Sequence, residues 1–140
     1  MSKYEQFKAE CQAEIEAMAR DERILSATQS WFELAYQSRY GYHFEHLGRP
    51  IIQYPQDIVA MQEIIWKVKP DLIISTGIAH GGMLILNASM LALLDYTDAA
   101  NQHTALEPWK SKRKVIGIDI DIRSHNREAI GKHPVAHLIE

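Results

Sequence analysis

The residues from Ser75 to Met83 have the composition of a ligand-binding turn. Three glycines, Gly77, Gly81 and Gly82, follow a run of apolar residues and precede a stretch with helical periodicity. Because glycine has no Cβ, the backbone at Gly77 can adopt a positive φ and a ligand can approach it closely. The first amides of the following helix have no partners within that helix and can donate to a ligand. The Gly-x-x-x-Gly spacing differs from the dinucleotide fingerprint, and no phosphate-loop lysine follows.

Two aspartates end the next apolar run. Asp119 follows Val115–Ile118 directly, and Asp121 comes two residues later. A carboxylate at the end of the second strand of a βαβ unit accepts hydrogen bonds from the ribose hydroxyls of an adenosine cofactor. Asp119 is the better candidate because it ends the apolar run, although both aspartates could instead cap the following helix or turn. Together, the glycine turn and the strand-end acid favour an adenosine-cofactor site.

Four segments, taken in order, resemble the cephalosporin hydroxylase family: Leu47–Asp57, Lys69–Ile74, Thr76–Gly82 and Val115–Arg123. The resemblance covers roughly residues 30–140. It implies a Rossmann-like methyltransferase fold that binds S-adenosylmethionine, often with Mg²⁺. It also implies O-methylation, or a coupled hydroxylation, of a small-molecule, sugar or lipid-linked hydroxyl in lipid or antibiotic biosynthesis.

The resemblance also implies which residues contact the cofactor. Asp119 would be the ribose carboxylate, and the segment Tyr54–Asp57 would line the cofactor side of the cleft, chiefly through Tyr54 and Gln56. The cofactor loop would comprise Thr76, Gly77, Ala79, His80, Gly81 and Gly82.

The chain departs from the family pattern at two positions and in length. Ser75 stands where the family usually has Glu, and Met83 stands where it has Ser. Because that glutamate helps to fix the loop and the methionine end of the cofactor, weaker cofactor affinity is expected. In the family, the metal-binding carboxylates and later strands lie beyond the third strand. The expectation is therefore the N-terminal half, or a truncated copy, of such a fold, without Mg²⁺ ligands or a complete catalytic centre.

Other groups that could bind a metal form weaker patterns. His43 and His46 have a spacing that could bind a metal on a helix, but no third ligand follows at a recognisable spacing. Asp119, Asp121 and His125 could form a second cluster, although ribose binding is the better role for Asp119. We therefore predict no metal site.

An α/β framework is needed to bring the two motifs together. Short apolar runs predict strands buried on both faces at residues 71–75 and 114–119, with a third strand at 135–139. Their alternation with helices predicts a parallel sheet flanked by helices. Predicted helices cover residues 3–20, 26–39, 55–69, 83–94 and 126–131, and residues 40–50 and 95–113 are predicted connections.

Two regions are predicted along the chain. Residues 1–45 form a helical accessory region, in which Trp31, Leu34 and Ala35 make the buried side of the second helix. Residues 46–140 form the first half of the Rossmann-like cofactor-binding domain.

Composition excludes several classes of protein. Hydrophobic residues make up 46% and charged residues 24%, and the net charge of -3 argues against a nucleic-acid surface. The most apolar stretch, Met83–Leu94, falls short of the roughly 20 residues of a membrane span. The single cysteine, Cys11, and the absence of a signal-peptide pattern predict a cytoplasmic protein.

Two functions remain open. The first is a methyltransferase-like protein that acts on a small-molecule substrate. The alternative is a catalytically incomplete remnant that binds a cofactor weakly, or acts only as a homo-oligomer or with a partner chain, because a final buried strand would expose a sheet edge.

Overall fold

The computed structural model describes all 140 residues and divides them into two compact units, Met1–Tyr40 and Gly41–Glu140. The first unit contains α1 (Lys3–Met18) and α2 (Glu22–Gln37). Both helices begin at side chains that satisfy otherwise unpaired amides. At the start of α1, Ser2 forms a reciprocal capping box, and Asp21 accepts from the amide of the second residue of α2.

The burial of α2 differs from the prediction. Ala35 is buried as expected, whereas Trp31 and Leu34 are 42% and 64% exposed, so the prediction is wrong for these two residues. Helical periodicity identifies an apolar face but not what covers it. The Trp31 ring instead makes edge-on contacts with the rings of Phe32 and Tyr40, at centroid distances of 5.9 and 5.7 Å.

The second unit begins with a short hairpin, in place of the predicted connection over residues 40–50. Strand β1 (Phe44–His46) pairs antiparallel with β2 (Arg49–Ile51). The two turn residues, Leu47 and Gly48, both have positive φ, 46° and 79°, as a two-residue hairpin turn requires. The prediction is wrong here because strands of three residues are too short to show an alternating pattern.

The rest of the second unit is an α/β assembly. Strands β3 (Leu72–Thr76) and β4 (Lys114–Ile118) pair in parallel, with Leu72 opposite Lys114 and Thr76 opposite Ile118. The predicted class is confirmed: a mixed α/β fold with a small parallel sheet, consistent with a Rossmann-like methyltransferase fold. The elements are α3 (Pro55–Val68), β3 (Leu72–Thr76), α4 (Gly82–Gln102), β4 (Lys114–Ile118) and α5 (Ser124–Gly131).

The third strand, predicted over residues 135–139, is mostly absent. A short 3-10 helix occupies Ala136–Leu138, and only Ile139 forms a parallel bridge, to Val115. The apolar composition of this segment predicts that it is buried, but burial does not require a strand. The 3-10 turn buries Leu138 to 1% exposure without forming a strand.

Helix α4 forms the centre of the core and extends well beyond the predicted residues 83–94. Its first turns bury Leu84, Ile85 and Leu91 almost completely. The additional turns to Gln102 are largely polar and carry no apolar signal of a helix. None of the helices combines the length and hydropathy that a membrane crossing requires.

Arg113 connects the residues before β4 to the second half of α4. Its guanidinium donates to Asp95 at 2.5 Å and to Asp98 at 2.8 Å, and the Arg113 side chain is 14% exposed. Hydrogen bonds between charged groups in a partly desolvated environment are stronger than those between neutral groups. The pairs therefore anchor the long connection between α4 and β4.

One face of the parallel sheet is open to solvent. Leu72, Ile74 and Ile118 are 50%, 60% and 52% exposed, while Val115, on the face that contacts α4, is fully buried. The prediction of strands buried on both faces is therefore wrong. An apolar, β-branched composition makes a strand suitable for burial on both faces of a sheet. It does not determine whether a helix or another element packs on the second face.

Candidate functional site

Gly77 and Asp119 line the same crevice at the carboxyl ends of β3 and β4. Its volume, about 590 Å³, lies within the range of small-molecule and cofactor sites. Parallel strands present their carboxyl ends at the same sheet edge, so the turn after β3 and the acid after β4 meet there. The lining residues are Ile52, Gly77, Ala79, His80, Asp119, Asp121, Arg123 and Asn126.

The turn after β3 depends on residues with left-handed backbone. Gly77 has a φ of +77° and donates its amide to the carbonyl of Ile118 at 2.9 Å. A Cβ placed on Gly77 would meet no atom within 4 Å, so this position faces open space. Ala79 also has a positive φ, +47°, which costs a residue with a Cβ about 1–2 kcal/mol. The surrounding contacts must hold Ala79 in this conformation.

Gly81 and Gly82 make room for neighbouring protein atoms. A Cβ on Gly81 would lie 2.5 Å from the Ile130 side chain. A Cβ on Gly82 would lie 2.7 Å from both Cα and Cβ of Ile51, and closer still to the carbonyl oxygen of Pro50. The hairpin and α5 therefore pack directly on the start of α4. Neither glycine is among the residues that line the crevice.

Of the other residues predicted to contact the cofactor, some line the crevice and others do not. Ala79 and His80 line the crevice, whereas Thr76, Tyr54 and Gln56 do not. Thr76 ends β3 with its side chain on the open face of the sheet, and Tyr54 and Gln56 belong to the start of α3.

Asp119 holds the turn in addition to lining the crevice. One carboxylate oxygen accepts from the amide of Ile78 at 2.7 Å, and the other accepts from the amide of Asp121 at 3.3 Å. These hydrogen bonds, chiefly the one from Ile78, lower the pKa of Asp119 and favour its charged form. An ionised carboxylate has about four acceptor positions, so these two bonds leave room for ribose hydroxyls. The capping and ribose roles are therefore compatible.

Arg49 and Asn126 support the turn, although no sequence motif assigns them a role. Arg49, on β2, donates to the carbonyl of His80 from Nε at 3.0 Å and from Nη2 at 2.5 Å. Asn126, on α5, is 3% exposed and donates to the carbonyl of Ala79 at 2.9 Å. Only the folded chain brings these two residues to the turn.

No group of three or more His, Cys, Asp or Glu side chains is arranged to hold a metal ion. His46 shares a hydrogen bond of 3.0 Å with the hydroxyl of Ser89. Burial, and then the nearby charge of His133, lowers the pKa of His46. Asp119 and Asp121 form a turn together and do not converge with a third ligand. The residues present thus do not fit the Mg²⁺ site that the resemblance implies.

The mixed α/β fold with its small parallel sheet is consistent with part of a Rossmann-like methyltransferase fold. A protein-family model described as rhamnosyl O-methyltransferase/CmcI matches residues 38–140, and the chain belongs to this family, which is the cephalosporin hydroxylase family that it resembles. A methyltransferase family in general implies a cofactor of the S-adenosylmethionine type. No curated protein and no solved structure matches the chain significantly.

Proposed function

We propose that the crevice binds the adenosyl part of S-adenosylmethionine and that the chain takes part in O-methylation of a small-molecule hydroxyl. The observation that supports this most is the shared crevice of Gly77 and Asp119 at the ends of two parallel strands. A sugar or lipid-linked hydroxyl is the proposed acceptor, and the cytoplasm is the proposed location.

The chain's own residues would bind and orient the cofactor. Asp119 would accept hydrogen bonds from the ribose hydroxyls, and the open space beside Gly77 would admit the ligand close to the backbone. When bound, S-adenosylmethionine supplies an electrophilic methyl group. The protein's contribution to such a transfer is mainly to hold the two reactants in line.

Titration with S-adenosylhomocysteine, followed by calorimetry, tests the proposal. We expect saturable binding by the folded chain. Asp119→Asn should weaken binding about tenfold, because the ribose hydroxyls lose a charged acceptor. Glu63→Ala, an exposed acidic residue of α3 outside the crevice, is the matched control and should bind as the unaltered chain does. No heat at millimolar ligand, or equal affinity in Asp119→Asn, would contradict the proposal.

A second candidate function is self-association through the open face of the sheet. It is supported by the exposure of Leu72, Ile74 and Ile118, which form an apolar surface beside the free edge of β3. A second copy of the chain is the proposed occupant. Sedimentation velocity at micromolar concentration should show a dimer that Ile74→Lys dissociates. A folded chain that stays monomeric throughout would exclude this candidate.

A further inference from the structure

We propose that Arg49 and Asn126 are positioning residues that order the glycine turn for cofactor binding. Together they are called the Arg49–Asn126 clamp. The part of this inference that concerns cofactor affinity rests on the proposed function. The ordering of the turn can be measured without any ligand.

The clamp fixes two successive carbonyl groups of the turn. Arg49 donates two hydrogen bonds to the carbonyl of His80, and Asn126 donates to the carbonyl of Ala79. A third bond, 3.2 Å from Nη2 of Arg49 to Oδ1 of Asn126, joins the two side chains. The turn is therefore held from β2 and from α5 at once.

The location of the clamp explains why it is needed. Ala79 has a left-handed backbone without being glycine, and such a conformation persists only when its surroundings determine it. The carbonyls of Ala79 and His80 are the ones that the clamp binds, so the bonds fix the backbone immediately after the strained residue. Without the clamp, we expect Ala79 to relax to a negative φ and the crevice wall to change shape.

Because Asn126 is buried, water cannot easily replace the hydrogen bonds of the clamp. Asn126 is 3% exposed, so its amide has little access to water as an alternative partner. Removal of either side chain leaves a carbonyl of the turn without its donor, and an unsatisfied, partly buried polar group is costly. The two residues are therefore expected to act together, with less than additive effects of their removal.

Hydrogen–deuterium exchange of the segment 76–82, measured by mass spectrometry without ligand, tests the clamp. Arg49→Met and Asn126→Leu approximately preserve side-chain size and remove the donors. Each should speed exchange of this segment about tenfold, because a partly buried carbonyl of the turn loses its hydrogen-bond donor. Arg49→Lys, which retains one donor for the carbonyl of His80, should fall between Arg49→Met and the unaltered chain.

Arg113→Met is the matched control, because it also removes a partly buried guanidinium, but one that is bonded to Asp95 and Asp98. It should lower the melting temperature without altering exchange of the segment 76–82. Unchanged exchange in both Arg49→Met and Asn126→Leu would overturn the clamp. An equal increase in Arg113→Met would also overturn it, by showing a general loss of stability.

Calorimetry with S-adenosylhomocysteine then separates the two proposals. We expect Arg49→Met to weaken binding about tenfold while Arg113→Met binds as the unaltered chain does. If the unaltered chain binds no ligand, the proposed function fails, while faster exchange in the clamp variants still supports the ordering role. If the clamp variants bind the ligand normally, cofactor positioning is refuted.

Discussion

Replacement of Gly82 by alanine should loosen the contact between the hairpin and helix α4. A Cβ at this position would lie 2.7 Å from Cα and Cβ of Ile51, whereas ordinary van der Waals contact begins near 3.4 Å. The closest atoms also include the backbone carbonyl oxygen of Pro50, which no side-chain rotation can move away. The hairpin must therefore shift by several tenths of an ångström.

The expected cost follows from this overlap. Overpacking of this kind lowers the free energy of unfolding by about 1–3 kcal/mol. The higher helix propensity of alanine offsets at most about 1 kcal/mol of that loss. We expect Gly82→Ala to lower the free energy of unfolding by about 1–2 kcal/mol. For a chain of this size, that lowers the melting temperature by about 3–8 °C. Thermal and urea unfolding followed by circular dichroism would measure the change.

Two other glycines serve as matched controls. A Cβ added to Gly131, the last residue of α5, would meet no atom within 4 Å, so Gly131→Ala should leave stability unchanged or raise it by up to about 1 kcal/mol. Gly77 also has free space, but its φ of +77° should cost alanine about 1–2 kcal/mol through backbone strain alone. Equal stability of Gly82→Ala and Gly131→Ala would refute the reasoning, because it would mean that the hairpin does not pack on the first turn of α4.

Three further predictions concern charged groups. Arg113→Met should lower the free energy of unfolding by about 1–3 kcal/mol, because Asp95 loses its partly buried partner. A loss below about 0.5 kcal/mol, the size of an ordinary surface change, would contradict this. The depressed pKa of His46 means that the folded state favours the neutral ring, so the free energy of unfolding should fall as the pH drops below about 6.5. In urea titrations at several pH values, His46→Gln should show a smaller decrease than the unaltered chain. The depressed pKa of Asp119 means that its carboxylate stabilises the fold above about pH 3.9, and this advantage over Asp119→Asn should disappear as the pH falls through the lower, folded-state pKa. An advantage over Asp119→Asn that does not change with pH would show that the charge has no role.

The sequence is sufficient to predict that the two motifs meet, because the geometry of parallel strands decides that point. Once β3 and β4 lie side by side, the residues after each strand share one sheet edge, whatever the details of the loops. Gly77 and Asp119 can therefore be paired across the long insertion that separates them. Pro55, at the first turn of α3, and Pro70, just past its end, mark that helix equally well.

The features that the sequence does not reveal depend on contacts between distant residues. The turn of the hairpin uses Leu47 with a positive φ, where an Asn-Gly pair would have been recognisable. Arg49 lies beside Pro50 in a segment without periodicity, and nothing local indicates that its partner is a carbonyl of the glycine turn. The open face of the sheet escapes prediction for a related reason, since the residues of a strand do not encode what covers them.

The span of the clamp also has a consequence for how the chain acquires its structure. The bond from Arg49 to Asn126 joins residues 77 positions apart, and the one between His133 and the carbonyl of Leu47 joins residues 86 positions apart. Long-range closures of this kind come late, because the entropy of the intervening loop is lost before the contact is gained. During synthesis on the ribosome, the hairpin and the glycine turn emerge well before α5. We therefore expect the turn and the crevice of the nascent chain to remain unordered until α5 has left the exit tunnel.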